Sequence, residues 1–108
     1  MTPVQFRRLV LSLPDTTEGA HMGHADFRVD GKIFATLGYP DGGWAMIKLP
    51  PGTQDVYVTV EPTVFTPVKG AWGRKGSTNI RLKAATKAKV EGAVRAAWEA
   101  LRASSEAR

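Results

Sequence analysis

Two histidines three residues apart, His21 and His24, and three nearby carboxylates, Asp15, Glu18 and Asp26, are the first residues able to do chemistry. A spacing of three would put both imidazoles on one face of a helix; on the extended chain expected here it puts them on opposite faces. A metal would need further ligands, and only Asp26 or Glu18 stands close enough in sequence. The structural alternative has His24 hydrogen-bonding locally and His21 packing at a strand end. Carboxylates in turns commonly accept backbone amides, so the three acids do not by themselves form an acid–base pair. Ser12, Ser77, Ser104 and Ser105 fall in a helix, at a strand start and in the tail, and none sits in a Gly-x-Ser-x-Gly elbow. The chain has no cysteine, which excludes disulfides, thiol catalysis and cysteine-ligated zinc. No catalytic residue, metal ligand set or cofactor motif is assigned.

Cations carry the stronger signal. Lys69, Arg74, Lys75, Arg81, Lys83, Lys87 and Lys89 follow one another with no intervening acid. The stretch opens on a glycine-spaced segment, Gly70 to Gly76, that holds Trp72. It is not a phosphate loop, because Lys75 precedes the last glycine and no strand-loop-helix context surrounds it. Its glycines allow close approach of backbone to a ligand and make a mobile loop the expectation. An aromatic ring among cations can stack a base, worth roughly 1–3 kcal/mol. Residues 1–66 carry a net −2 and residues 67–108 a net +7. Such asymmetry is the footprint of a surface that meets a polyanion; the competing reading is a solvated basic face that aids solubility.

The elements that must position these residues follow from pattern. Length of 108 residues and an apolar fraction of 43% fit a single domain, 1–108, with one core. No run approaches the roughly 18 apolar residues of a membrane span, and the N-terminus shows no signal pattern. A reduced, cytoplasmic setting fits the lack of cysteine. Thr2, Pro3 and Gln5 signal a helix start, and Phe6, Leu9, Val10 and Leu13 form its apolar stripe before Pro14. A strand meander follows: Ala25–Val29, an Asp30-Gly31 turn, Lys32–Leu37, a turn at 40–43, and Trp44–Leu49. The two-residue turn would pair Phe27 with Phe34. Residues 53–60 are ambiguous: Val56, Val58 and Val60 alternate as in a strand, while Thr53 can cap a short helix, and propensity favours the strand. Pro62 and Pro67 frame a loop. Ser77–Lys83 is a strand with Asn79, Arg81 and Lys83 on one face, and residues 86–103 form the last helix, with Trp98 on its buried stripe and a tail fraying from Ser104. Trp44 reads either as core or as a stacking ring. Lys87 and Lys89 open that helix, where the dipole gives them no reward. The expected fold class is α+β, an antiparallel sheet with helices against one face.

The block from His21 to Ala35, with Leu49-Pro50-Pro51, residues 61–67, Trp72-Gly73 and Ile80-Arg81-Leu82, resembles the MmcQ/YjbR-like family. The resemblance implies a CyaY-like fold with N- and C-terminal helices packed on one face, a helix over residues 53–60, and a DNA-binding role ascribed to a "double wing" shape. It implies no catalytic residues. Met22 and Asp26 stand where relatives often have tryptophan and proline, which leaves residue 22 without a stacking ring.

Two functional expectations result. The first is a non-enzymatic nucleic-acid-binding module of low sequence specificity, with Lys69, Arg74 and Lys75 on phosphates, Arg81 and Lys83 extending the patch, and Trp72 stacking. About five phosphate contacts on duplex DNA predict a log-affinity against log-salt slope of roughly −4 to −5. The second is a small anionic-ligand or protein-interaction domain using the sheet face around His24, Trp44 and Lys48. A continuous convex basic surface would favour the first, and a concave pocket lined by those three would favour the second.

Overall fold

Helix α1 spans Pro3–Leu11 and starts on the expected capping box. Thr2 Oγ1 accepts from the Gln5 amide at 3.1 Å, and Gln5 Oε1 accepts from the Thr2 amide at 2.8 Å. The computed structural model describes residues 1–106.

The meander has one strand more than its composition suggests. Strand β1 (Thr17–His21) pairs antiparallel with β2 (His24–Val29) through a two-residue turn, Met22-Gly23, with φ of 52° and 80°. These are the positive dihedrals of a tight hairpin. The sequence Thr-Glu-Gly-Ala-His is poor in strand formers, and a methionine at positive φ is uncommon, so neither feature is readable in advance. Asp30-Gly31 forms the expected turn into β3 (Lys32–Leu37). The register then departs from expectation. Val29 pairs with Lys32 and Arg28 with Ile33, but a bulge puts Phe27 opposite Ala35 instead of Phe34. The additional residue lets the consecutive Phe34 and Ala35 both face inward, and with Phe27 they are buried.

Strand β4 (Trp44–Lys48) leads into α2 (Pro51–Val60). The helix implied by family resemblance is present, and the strand favoured by valine alternation is not. Pro51 sets the first-turn φ, Gln54 is buried, and the Tyr57 ring packs 5.2 Å from that of Phe65. Val56 and Val60 are left on the solvent side. The proline-framed loop contains a short strand, β5 (Phe65–Pro67), and the glycine-rich segment contains one turn of helix, α3 (Ala71–Arg74). Strand β6 (Ser77–Arg81) ends earlier than expected, because Leu82–Ala84 form a 3₁₀ turn that carries Lys83 off the strand. Helix α4 runs Lys87–Glu106, with Thr86 Oγ1 accepting from the Lys89 amide at 3.3 Å. The fraying expected from Ser104 is not seen through Glu106, and Ala107 and Arg108 lie outside the described residues. Arg102 ties the last turns down by pairing with Asp15 at 2.7 Å and stacking on Trp98.

The six strands form one antiparallel sheet in the order β1-β2-β3-β4-β6-β5. One face packs on α1 and α4. Phe6 and Val10 of α1 and Val90, Val94 and Ala97 of α4 share a core with Phe27, Ala35, Ile47, Phe65 and Ile80 of the sheet. Phe6 meets Phe27 edge-on, with centroids 6.3 Å apart. The fold is therefore α+β, with N- and C-terminal helices on one side of the sheet.

Candidate nucleic-acid interface on the open sheet face

Side chains alternate across a strand, so the strand register also fixes the composition of the face away from α1 and α4. One row reads Gly19, Asp26, Thr36, Met46, Asn79, Thr66 from β1 to β5. Adjacent positions on the same face are His21 opposite His24, Trp44 opposite Arg81, and Lys48 opposite Ser77. Asp26 is the one acid at these strand positions. Glu18 has the opposite parity and bonds Arg7 of α1 at 2.9 Å.

Asp26 is 0% exposed. Arg28 Nε and Nη2 donate to its two oxygens at 2.7 and 2.9 Å, and His21 Nδ1 lies 2.9 Å from Oδ2. The hydrogen bonds from Arg28, helped by His21 and opposed by burial, lower its pKa to about 2. An ionised carboxylate only accepts, so His21 Nδ1 carries the hydrogen of that bond. The strand partner Gly19 makes room: a Cβ there would meet Asp26 Oδ1 at 2.9 Å.

The two histidines thus share a face as a cross-strand pair, correcting the opposite-face expectation. Their roles are also exchanged. His21 makes the hydrogen bond, whereas the His24 ring packs 4.0 Å from that of Tyr39. Among the described residues no three His, Asp or Glu side chains gather to hold a metal. The three carboxylates are separated as well, each bound by its own arginine: Asp15 by Arg102, Glu18 by Arg7, Asp26 by Arg28. The His21–Asp26 pair has the form of a general-base dyad. Lys48 and Ser77 stand three and four strands away, however, about 14 and 19 Å at ordinary strand spacing.

A trough of about 470 Å³ crosses this face, lined among others by His21, Thr36, Tyr39, Met46, Lys48, Trp72 and Asn79. Trp72 reaches it from α3, 65% exposed. Its segment is pinned by packing, contrary to the mobile loop expected. A Cβ on Gly73 would fall 1.6 Å from the Val68 carbonyl oxygen, and one on Gly76 the same distance from that of Leu49. The two hydrogens of the buried Gln54 Nε2 are shared among the Gly73 and Ser77 carbonyls and Thr78 Oγ1, at 3.0–3.1 Å. The close approach that these glycines permit is therefore to their own chain.

The predicted site residues divide. Lys75 lies over the Trp72 ring at 5.9 Å and Arg81 over Trp44 at 5.3 Å, so Trp72, Lys75 and Arg81 gather at or beside the trough. Lys69 and Arg74 are exposed on and before α3, while Lys83 is exposed in the 3₁₀ turn. Lys89 pairs with Glu61 at 3.7 Å, a structural role its sequence position did not announce. Of the alternative trio, Lys48 lines the trough, His24 sits against Tyr39, and Trp44 is covered by Arg81. The sequence reading missed Thr36 and Asn79 as site residues. Only Asn79 carried a signal, as a polar residue on the outward face of a strand.

A larger depression of about 990 Å³ lies between α1 and α4. It mixes Arg8, Lys87 and Arg95 with Glu91 and holds no aromatic ring, so it offers neither a single-sign field nor a stacking surface. No helix among the described residues is long and apolar enough to cross a membrane.

The YjbR family model matches residues 11–100, and the chain belongs to that family. No curated protein and no solved structure matches it.

Proposed function

We propose that this member of the YjbR family is a non-enzymatic nucleic-acid-binding module of low sequence specificity that takes a single strand across the open sheet face. The observation that carries this reading is the trough. Trp72, Tyr39 and Lys48 line it, Lys75 and Arg81 lie over aromatic rings beside it, and the one acid among its strand positions is neutralised. Unstacked bases stack on exposed rings, while cations at the rim take phosphates. A duplex keeps its bases stacked and gives Trp72 nothing to receive. Lys48, Lys69, Arg74, Lys75 and Arg81 are the phosphate-contacting set, and Lys83, Lys87 and Lys89 are left out of it.

A small anionic ligand bearing a ring is the second reading. The trough volume favours it, since about 470 Å³ lies within the usual span of small-molecule sites. Of its expected residues only Lys48 remains in the lining.

Fluorescence anisotropy at low salt separates the two. A labelled thymine decamer should bind more tightly than a duplex of equal length. Trp72→Ala should weaken that binding about 5- to 150-fold, the equivalent of roughly 1–3 kcal/mol for one lost stack. No binding to either nucleic acid, with thermal stabilisation by mononucleotides, selects the second reading. Absence of both effects sinks both.

A further inference from the structure

Three polar side chains in the trough have no partner among the described residues. Thr36 is 4% exposed and Ser77 6% exposed. Both line the trough, yet neither hydroxyl makes a hydrogen bond, although nearly all buried polar groups do. The half-buried Asn79 amide beside them is also free. Between Thr36 and Asn79 stands Met46, opposite both in the register. Its thioether is a soft surface of the kind that packs well against aromatic rings. Thr36 and Asn79 are two strand steps apart, about 10 Å between backbones, which leaves room for one base with a hydrogen bond at either edge.

We infer that the trough is a single-nucleotide subsite: one base lies on Met46, Thr36 and Asn79 read its polar edges, Trp72 walls it, and Lys48 takes a phosphate. Ser77, directly opposite Lys48 in the register, supplies a hydroxyl to the same phosphate or sugar. The subsite rests on the nucleotide chemistry of the proposed function and adds a base preference at one position of an otherwise unselective strand. An amide side chain is the group suited to this, since it presents a donor and an acceptor together and can satisfy a base edge in two bonds. The same chemistry would accept a free mononucleotide, so the test includes one.

The assay is anisotropy with adenine, cytosine and thymine homodecamers and a thymine decamer carrying alternate guanines, with nucleoside monophosphates as competitors. Wild type should prefer one base, and Asn79→Ala should narrow that preference about fivefold while leaving the weaker decamers unchanged. Asn79→Ser, which keeps a shorter polar group, should fall between them and guards against a folding defect in the alanine variant; circular dichroism checks both. Equal affinity for all four decamers, or a preference that survives Asn79→Ala, overturns the subsite and leaves single-strand binding standing. Monophosphates that compete at the decamer's own affinity support the subsite and overturn the strand. Binding to duplex alone overturns the subsite and the proposed function together.

Discussion

Asp26 lies buried within a face whose other charged strand positions are basic, and it leaves that face positive because its charge is spent on Arg28 and His21. Its carboxyl titrates at about 2 instead of 3.8. A depressed carboxylate stabilises the fold fully above its unfolded value, near pH 4, and that stabilisation is lost as pH falls through 2. The side chains of Arg28 and His21 are 36% and 40% exposed, so solvent screening reduces the contribution to about 1 kcal/mol. Urea unfolding at pH 5 and pH 2 measures it: wild type should lose about 1 kcal/mol more over that interval than Asp26→Asn. Equal losses would show that the pair contributes nothing. Gly19→Ala tests the same contact from the neighbouring strand, since its Cβ would push on Asp26 Oδ1, and it should erase most of the pH-dependent difference.

Among the elements, α3 decides where Trp72 stands, and its position rests on groups distant in sequence. Gln54 of α2 shares its amide hydrogens among three acceptors around α3 and the start of β6. Gln54→Leu keeps the volume and removes these bonds, while the Gly73 and Ser77 carbonyls keep their backbone donors Gly76 and Val68, so the cost is about 1 kcal/mol, or roughly 4–8 °C in Tm for a chain of this size. Differential scanning calorimetry reads that loss, and a Tm within 3 °C of wild type would remove Gln54 from this role. Gly73→Ala should cost more, because its Cβ meets backbone rather than a side chain. These contacts also explain what the sequence could and could not tell. Helix α1, the Asp30-Gly31 turn, the pairing of Val29 with Lys32 and the α4 stripe rest on local signals, and they stand as read except that Trp98 of the stripe is only half-buried. Strand β1, the bulge opposite Phe27 and the pinning of α3 depend on partners elsewhere in the chain, which periodicity does not encode. Valine alternation in α2 misled for the same reason: burial of Gln54 and Tyr57 packing outweighed a weak propensity. At the site, Trp72 and Arg81 were legible as an aromatic ring among cations. Thr36 was not, because only strand pairing puts it on one face with Met46 and Asn79.

At the scale of the molecule, a net charge of +5 attracts any polyanion, so the question is whether binding follows the face or the sum. The fold divides the acid-free stretch. Lys75 and Arg81 lie beside the trough, while Lys87 opens α4 in the helical layer, where Arg95 lines the other depression. Two charge-reversed variants with the same net charge separate the cases: Lys48→Glu with Arg81→Glu on the sheet, and Lys87→Glu with Arg95→Glu on the helix. Lys87→Glu puts an acid in the first turn of α4, where the helix dipole favours it, while Arg95→Glu adds like charge four residues from both Glu91 and Glu99, so circular dichroism checks the fold of the helix variant. With five phosphate contacts the wild-type log-affinity against log-salt slope on a single strand should be about −3.5. The sheet variant removes two contacts, so its slope should fall to about −2 and its affinity at least tenfold at low salt. The helix variant should stay within about threefold of wild type with its slope unchanged. Equal weakening of the two variants would mean that the protein acts as a diffuse cation, and the trough would lose its claim to the strand. A loss confined to the sheet variant would tie binding to the one face on which the rings, the cations and the unpartnered polar groups meet.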